Sequence, residues 1–138
     1  VNAGYSGTPL AKKLGLAAGM RLGLDNPPPE FVGLALLPVP DGISMHTHLR
    51  GNMDMVIGFY DTRAEFERRL PIARRRIPED GAIWIAWPKK ASRVPTDMTE
   101  DVIREVALPT GLVDTKVCAI DEVWSGLKLV IRKELRKG

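Results

Sequence analysis

Several groups of residues in this 138-residue chain carry side chains able to do chemistry. Asp25 with Asn26, Tyr60 with Asp61, and Trp87 with Lys89 and Lys90 each stand at the end of an apolar run. If those runs are parallel strands, their carboxyl ends bring all three sets to one edge of a sheet, where open α/β sheets bind ligands. An aromatic wall beside two ammonium groups would hold a nucleotide or another small anionic ligand. The plainer reading puts Trp87 in the core and leaves Lys89 and Lys90 solvated in a loop. His46 and His48 alternate onto one face and with Asp54 would make a three-ligand metal set. No second cluster supports that set, so two surface histidines are expected and no metal. Cys118 is the single cysteine and lies beside Val117 and Ile120, the setting of a buried structural thiol rather than a nucleophile. Without a base placed by spacing, no triad or thiol mechanism follows and no catalytic residue is assigned.

Charge is uneven along the chain. Arg63, Arg68, Arg69, Arg74, Arg75 and Arg76 crowd one segment, and Lys128, Arg132, Lys133, Arg136 and Lys137 crowd the end. The first group flanks an apolar helical arc, with Glu65 spaced to pair with Arg68 and Arg69. No aromatic residues alternate with these charges, so a solvated helix face is expected rather than a nucleic-acid groove. Asp121, Glu122, Trp124 and Ser125 form either a partner contact or the closure of the sheet.

The elements that would position these residues follow from periodicity. Thr8, Pro9 and Gly15 suit the cap, first turn and terminator of a short helix that docks through Leu10 and Leu14. Met20, Leu22 and Leu24 alternate as a first strand. Pro27, Pro28 and Pro29 then hold the backbone extended and supply no amide donors. The apolar run from Phe31 to Val39 suits a short helix or a strand, and we favour the helix. Ile43 to Arg50 alternates as a half-exposed strand near an edge, whereas Met55 to Tyr60 is apolar throughout. Thr62 and Glu65 form a capping box for a helix with Phe66, Leu70, Ala73 and Ile77 on one arc, and Pro71 should kink or divide it. Ala82 to Trp87 is a continuous apolar run with no polar face and needs cover on both sides. Thr99 caps a last helix with Met98 and Ile103 as its hydrophobic staple, ended by Pro109 and Gly111. Two strands, Thr115 to Ile120 and Leu127 to Arg132, close the chain as a hairpin.

This order predicts a single α/β domain over residues 1–138. It is Rossmann-like and three-layered, with a mostly parallel sheet closed by an antiparallel C-terminal hairpin strand. With Gly81 to Trp87 at its centre, Leu112-Val113-Asp114 entering the hairpin and Trp124 to Lys128 returning, the chain resembles the C-terminal half of an S-adenosylmethionine-dependent methyltransferase sheet. Met20 to Asp25 is similar to that fold's first strand. The resemblance implies a glycine-rich turn after that strand and an acid, here Asp41, for the cofactor's ribose. Asn26 to Glu30 stand in place of that turn, and three prolines can neither make it nor donate its amides. More narrowly, Gly4 to Gly15 and Trp87 to Ser92 resemble a family of small bacterial proteins known only as a domain of unknown function. That family carries no activity to transfer.

With 44% hydrophobic and 27% charged residues the composition is that of an ordinary globule, and a chain this long buries roughly two-thirds of its unfolded surface without staples. No run is long enough to span a membrane and no basic-then-apolar leader is visible, so a cytoplasmic location is expected. The net charge of +3 is a mild tilt towards anionic partners. A small sheet leaves edges that a second copy can cover, so a homodimer through an edge or the hairpin is also entertained. A non-catalytic binding or interaction protein with a degenerate methyltransferase-like fold and no cofactor is the reading these features favour. The alternatives are a divergent methyltransferase and a weak nucleotide- or nucleic-acid-binding module.

Overall fold

In the computed structural model the structure describes residues 8–31 and 38–137. Six strands form one sheet: β1 (Arg21–Asp25), β2 (Ser44–His46), β3 (Met55–Phe59), β4 (Ala82–Pro88), β5 (Leu112–Ala119) and β6 (Trp124–Ile131), in the order β2-β1-β3-β4-β6-β5. β2, β1, β3 and β4 pair in parallel, and only β6 runs against its neighbours. The expected α/β fold with its antiparallel closing hairpin is therefore present.

Every residue of β3 and β4 is buried. Alternate residues serve opposite layers: Ile83, Ile85 and Trp87 pack with Phe66, Leu70, Ala73, Ile103 and Ala107, while Ala82, Trp84 and Ala86 pack with Leu10, Leu14 and Phe31. A strand with a core on each face has no polar side to show, which is why its sequence is apolar throughout. The helices α2 (Arg63–Arg74) and α3 (Glu100–Ala107) cover one face, and α1 (Leu10–Leu14) lies on the other. Trp84 fixes α1 through its indole, which donates to the Leu14 carbonyl at 2.9 Å inside the core.

Local signals hold at most helix ends. The Thr62 hydroxyl accepts from the Glu65 amide and the Thr99 hydroxyl from the Val102 amide, each satisfying one orphan donor. Gly15 and Gly111 terminate their helical turns at φ +86° and +90°. Pro9, not Thr8, caps α1, one residue later than expected. Pro71 neither ends nor splits α2, which runs through it; a helix docked by Phe66, Leu70 and Ala73 tolerates one missing bond.

Four other expectations are corrected. β1 is buried from Leu22 to Asp25 rather than alternating, because it has a strand on each side and cover above and below. Pro29 and Glu30 begin a helical turn, with the Phe31 amide bonded to the Pro28 carbonyl, so the proline run is not extended throughout. β2 is an edge strand but only three residues long: Leu49 leaves the face of Ile43 and Met45 and packs in the opposite layer over Gly23, where any Cβ would meet it. The hairpin strands start earlier than expected, at Leu112 and Trp124, with a bulge between Asp114 and Lys116. The helix expected after Phe31 falls on residues 32–37, outside those described. No helix among the described residues is long and apolar enough to cross a membrane.

Candidate functional site

The chain leaves β1 for β2 on one side and returns to place β3 on the other, so the topological switch point lies between β1 and β3. At its carboxyl end Asp25 stands opposite Gly58. Tyr60, two residues beyond Gly58, folds back over it, so that a Cβ there would overlap the phenol ring at 2.6 Å from Cζ. The Tyr60 hydroxyl thereby donates to Asp25 Oδ2 at 2.6 Å. Arg69, on α2, completes the group with a two-pronged contact: Nε to Oδ2 at 2.8 Å and Nη2 to Oδ1 at 2.9 Å. Asp25 is 6% exposed and Tyr60 1%. A carboxylate so enclosed is tolerated because three donors and a cation meet it.

The electrostatics match this geometry. Burial, then the bond to the Asp25 carboxylate, pushes the Tyr60 phenol far above its ordinary range, so it remains a proton donor and no base. The Asp25 carboxylate in turn raises the Arg69 guanidinium. At the rim, Arg68 and then Asn26 bond the Glu65 carboxyl and hold it below the usual carboxylate range. Asn26 itself sits at φ +55°, a left-handed conformation that short polar side chains tolerate.

Of the residues read from the sequence, the structure joins Asp25 with Tyr60, and Asn26 with Glu65 beside them. The others go elsewhere. Asp61 is exposed, and its carbonyl accepts from the Thr96 hydroxyl at 2.6 Å. Trp87 is core, packed in the layer of α2 and α3, so it offers no aromatic wall to a ligand. Lys89 is half-buried with its amide on the Val123 carbonyl at 2.7 Å, and Lys90 is exposed. Asp41 precedes β2 instead of following it, at the wrong end of the strand to meet a ribose. His46, bonded to the Ser44 hydroxyl at 2.9 Å, ends β2, whereas Asp54 precedes β3 and accepts from the Arg21 amide, so the metal set is split between opposite ends of the sheet.

Cys118 is half-buried rather than enclosed, because β5 is an edge strand; burial raises its thiol against the opposing pull of Lys13 and Lys116. Trp124 closes the sheet, edge-on to Phe59 with centroids 5.2 Å apart, while Asp121 Oδ1 takes the Val123 and Trp124 amides. Arg69 is the site residue that sequence reasoning missed by assigning it to Glu65. Its signal was the acid of β1: an Asp closing an apolar strand needs a cation, and Arg69 is one turn from Phe66 on the same helix.

Solved structures share this architecture. A SAM-dependent methyltransferase from Aquifex aeolicus superposes with a TM-score of 0.62 at 11% identity, covering 88% of this chain and 87% of that one. The magnesium protoporphyrin IX methyltransferase of Synechocystis PCC 6803, solved with bound SAM, gives 0.58 at 12% identity over 89% and 74%. The N-methyltransferase NodS of Bradyrhizobium japonicum WM9 gives 0.57 at 12% identity over 87% and 89%. At these identities the likeness is one of fold. No curated protein matches the sequence. Residues 45–133 match the model of a protein of unknown function (DUF3052), and the chain belongs to that family.

Proposed function

We propose that this chain is a non-catalytic binding or interaction protein that keeps a methyltransferase-like sheet after losing its cofactor crevice. One observation carries the reading: the switch point between β1 and β3 is filled by the Asp25–Tyr60–Arg69 group. A ligand entering there would have to break three hydrogen bonds to a buried carboxylate. The residues at this crevice do not fit an adenosyl cofactor held by backbone amides after β1, since Pro27, Pro28 and Pro29 present none. The rival reading, a divergent S-adenosylmethionine-dependent methyltransferase, draws on the shared fold alone. Lys89 and Lys90 supply positive charge beyond β4 for a small anionic ligand outside the closed crevice.

The deciding experiment is calorimetric titration of the purified protein with S-adenosylmethionine and S-adenosylhomocysteine, with ATP as a test for anion binding. No saturable heat with either adenosyl compound at millimolar concentration is expected. Selective micromolar binding of either would overturn the proposal in favour of the methyltransferase. Weak ATP binding abolished by Lys89→Ala with Lys90→Ala would support the anion contact.

A further inference from the structure

We propose that the end of the sheet opposite the closed crevice docks the phosphate backbone of a nucleic acid, without regard to base sequence. This surface stands apart from the crevice, and the inference holds whether or not an adenosyl compound binds there.

The two basic segments are far apart in sequence, and the fold brings them together. Because β6 alone is antiparallel, its carboxyl end lies beside the amino ends of β3 and β4. The chain after β6 therefore meets the end of α2. Arg74 Nε donates to the Thr110 carbonyl at 3.1 Å, and the next carbonyl, Gly111, accepts from the Arg132 amide at 2.9 Å. The Arg76 carbonyl takes the Met53 amide before β3, and the Lys137 amide reaches Glu79 Oε1 at 2.7 Å. Arg136 folds back to donate to the Ile131 carbonyl. Arg74, Arg75, Arg76, Arg132, Lys133, Arg136 and Lys137 thus share one end of the molecule, where the acids are Asp54, Glu79, Asp80 and Glu134.

Among the described residues, four of the seven arginines elsewhere pair with acids, and Arg21, Arg50 and Arg93 do not. Arg63, Arg68, Arg69 and Arg104 each meet an acid within 4 Å, whereas among the described residues none of the seven cations at this end does. The Nε atoms of Arg76 and Arg132 are shielded from solvent and bonded to nothing among the described residues, so packing positions these guanidinium groups and no acid neutralises them. Clustered, unneutralised charge costs stability through self-repulsion and attracts polyanions.

Three features favour phosphates over an acidic protein. Five of the seven cations are arginines, whose planar forks match phosphate oxygens. Protein interfaces centre on aromatic or apolar anchors, and among the described residues the segments joined here expose two large apolar side chains, Leu108 and Leu135, and no aromatic one. The cluster holds no aromatic residue, so bases have nothing to stack on and the contact is to the backbone.

The test is fluorescence anisotropy of labelled random-sequence duplex DNA and single-stranded RNA with the whole protein, against added salt. Four phosphate contacts predict an affinity loss of about 100-fold between 50 and 200 mM salt. Arg75→Glu with Lys133→Glu, both exposed, should weaken binding at least tenfold and flatten the salt slope by about two. Lys12→Glu with Arg93→Glu makes the same change in net charge away from this end and should leave binding within about twofold. Absence of binding at 50 mM salt, equal loss in the two charge variants, or displacement by polyglutamate at lower charge concentration than by heterologous DNA would each overturn the proposal.

Discussion

Removing Arg69 tests the closed crevice most directly. Arg69→Met keeps the aliphatic stem and leaves Asp25, 6% exposed, with only the Tyr60 hydroxyl. Breaking a buried ion pair by deleting one partner typically costs about 3–5 kcal/mol, because the remaining charge stays desolvated. The Arg69 side chain is itself 22% exposed, so part of that cost is relieved by water reaching the gap, and we expect about 2–4 kcal/mol. Tyr60→Phe removes one bond and one buried hydroxyl together, and should cost only about 1–2 kcal/mol. Converting both charges at once, Asp25→Leu with Arg69→Met, removes the charge that the single variant strands. The double variant should therefore be more stable than Arg69→Met alone by about 1–3 kcal/mol. Urea unfolding of the four proteins measures all of this with one slope, and an unchanged slope guards the comparison. If Arg69→Met costs less than about 1 kcal/mol, or the double variant is no more stable than Arg69→Met alone, Asp25 is not held as described here.

Three further outcomes follow from the same core. The raised Tyr60 phenol makes the folded state the weaker acid, so stability is fully present below the ordinary tyrosine pKa of 10.0 and is lost as pH rises above it. Alkaline unfolding curves should show this loss in the wild type and not in Tyr60→Phe, and the ultraviolet phenolate signal of Tyr60 in a Tyr5→Phe background should appear only on unfolding. Gly58→Ala places a Cβ against the Tyr60 ring and should destabilise by about 1–3 kcal/mol; no loss in thermal unfolding would mean that the ring does not lie over β3. Trp84→Phe leaves the Leu14 carbonyl without its buried donor, and hydrogen exchange should quicken in α1 with a global cost of about 1–3 kcal/mol.

Much of the fold was legible because its signals are local or periodic. Doubly apolar runs mark β3 and β4 as buried on both faces, and Thr62 and Thr99 mark helix starts through bonds made three residues away. The limits of β2 were not legible, since Leu49 crosses to the other layer only because Gly23, on a strand distant in sequence, leaves room for it. The role of Trp87 is not fixed by its place in the chain for a similar reason: an aromatic residue closing a strand faces core or ligand according to which helix lies above it.

The candidate site divides along the same line. Local order along the chain is enough to show that an acid ends β1, that prolines follow it where amides would be needed, and that a tyrosine follows the apolar run of β3. The packing of α2 on the sheet is what turns Arg69, 44 residues from Asp25 in the chain, to that acid instead of to Glu65 in its own helix. Likewise the antiparallel course of β6, a choice of the assembled sheet, sets the terminal basic run beside the end of α2. Spacing along a chain dictates which partners a side chain can reach locally. Which of them it takes is settled by burial, because an enclosed charge such as Asp25 loses far more by going unpaired than the half-buried Glu65 at the rim does.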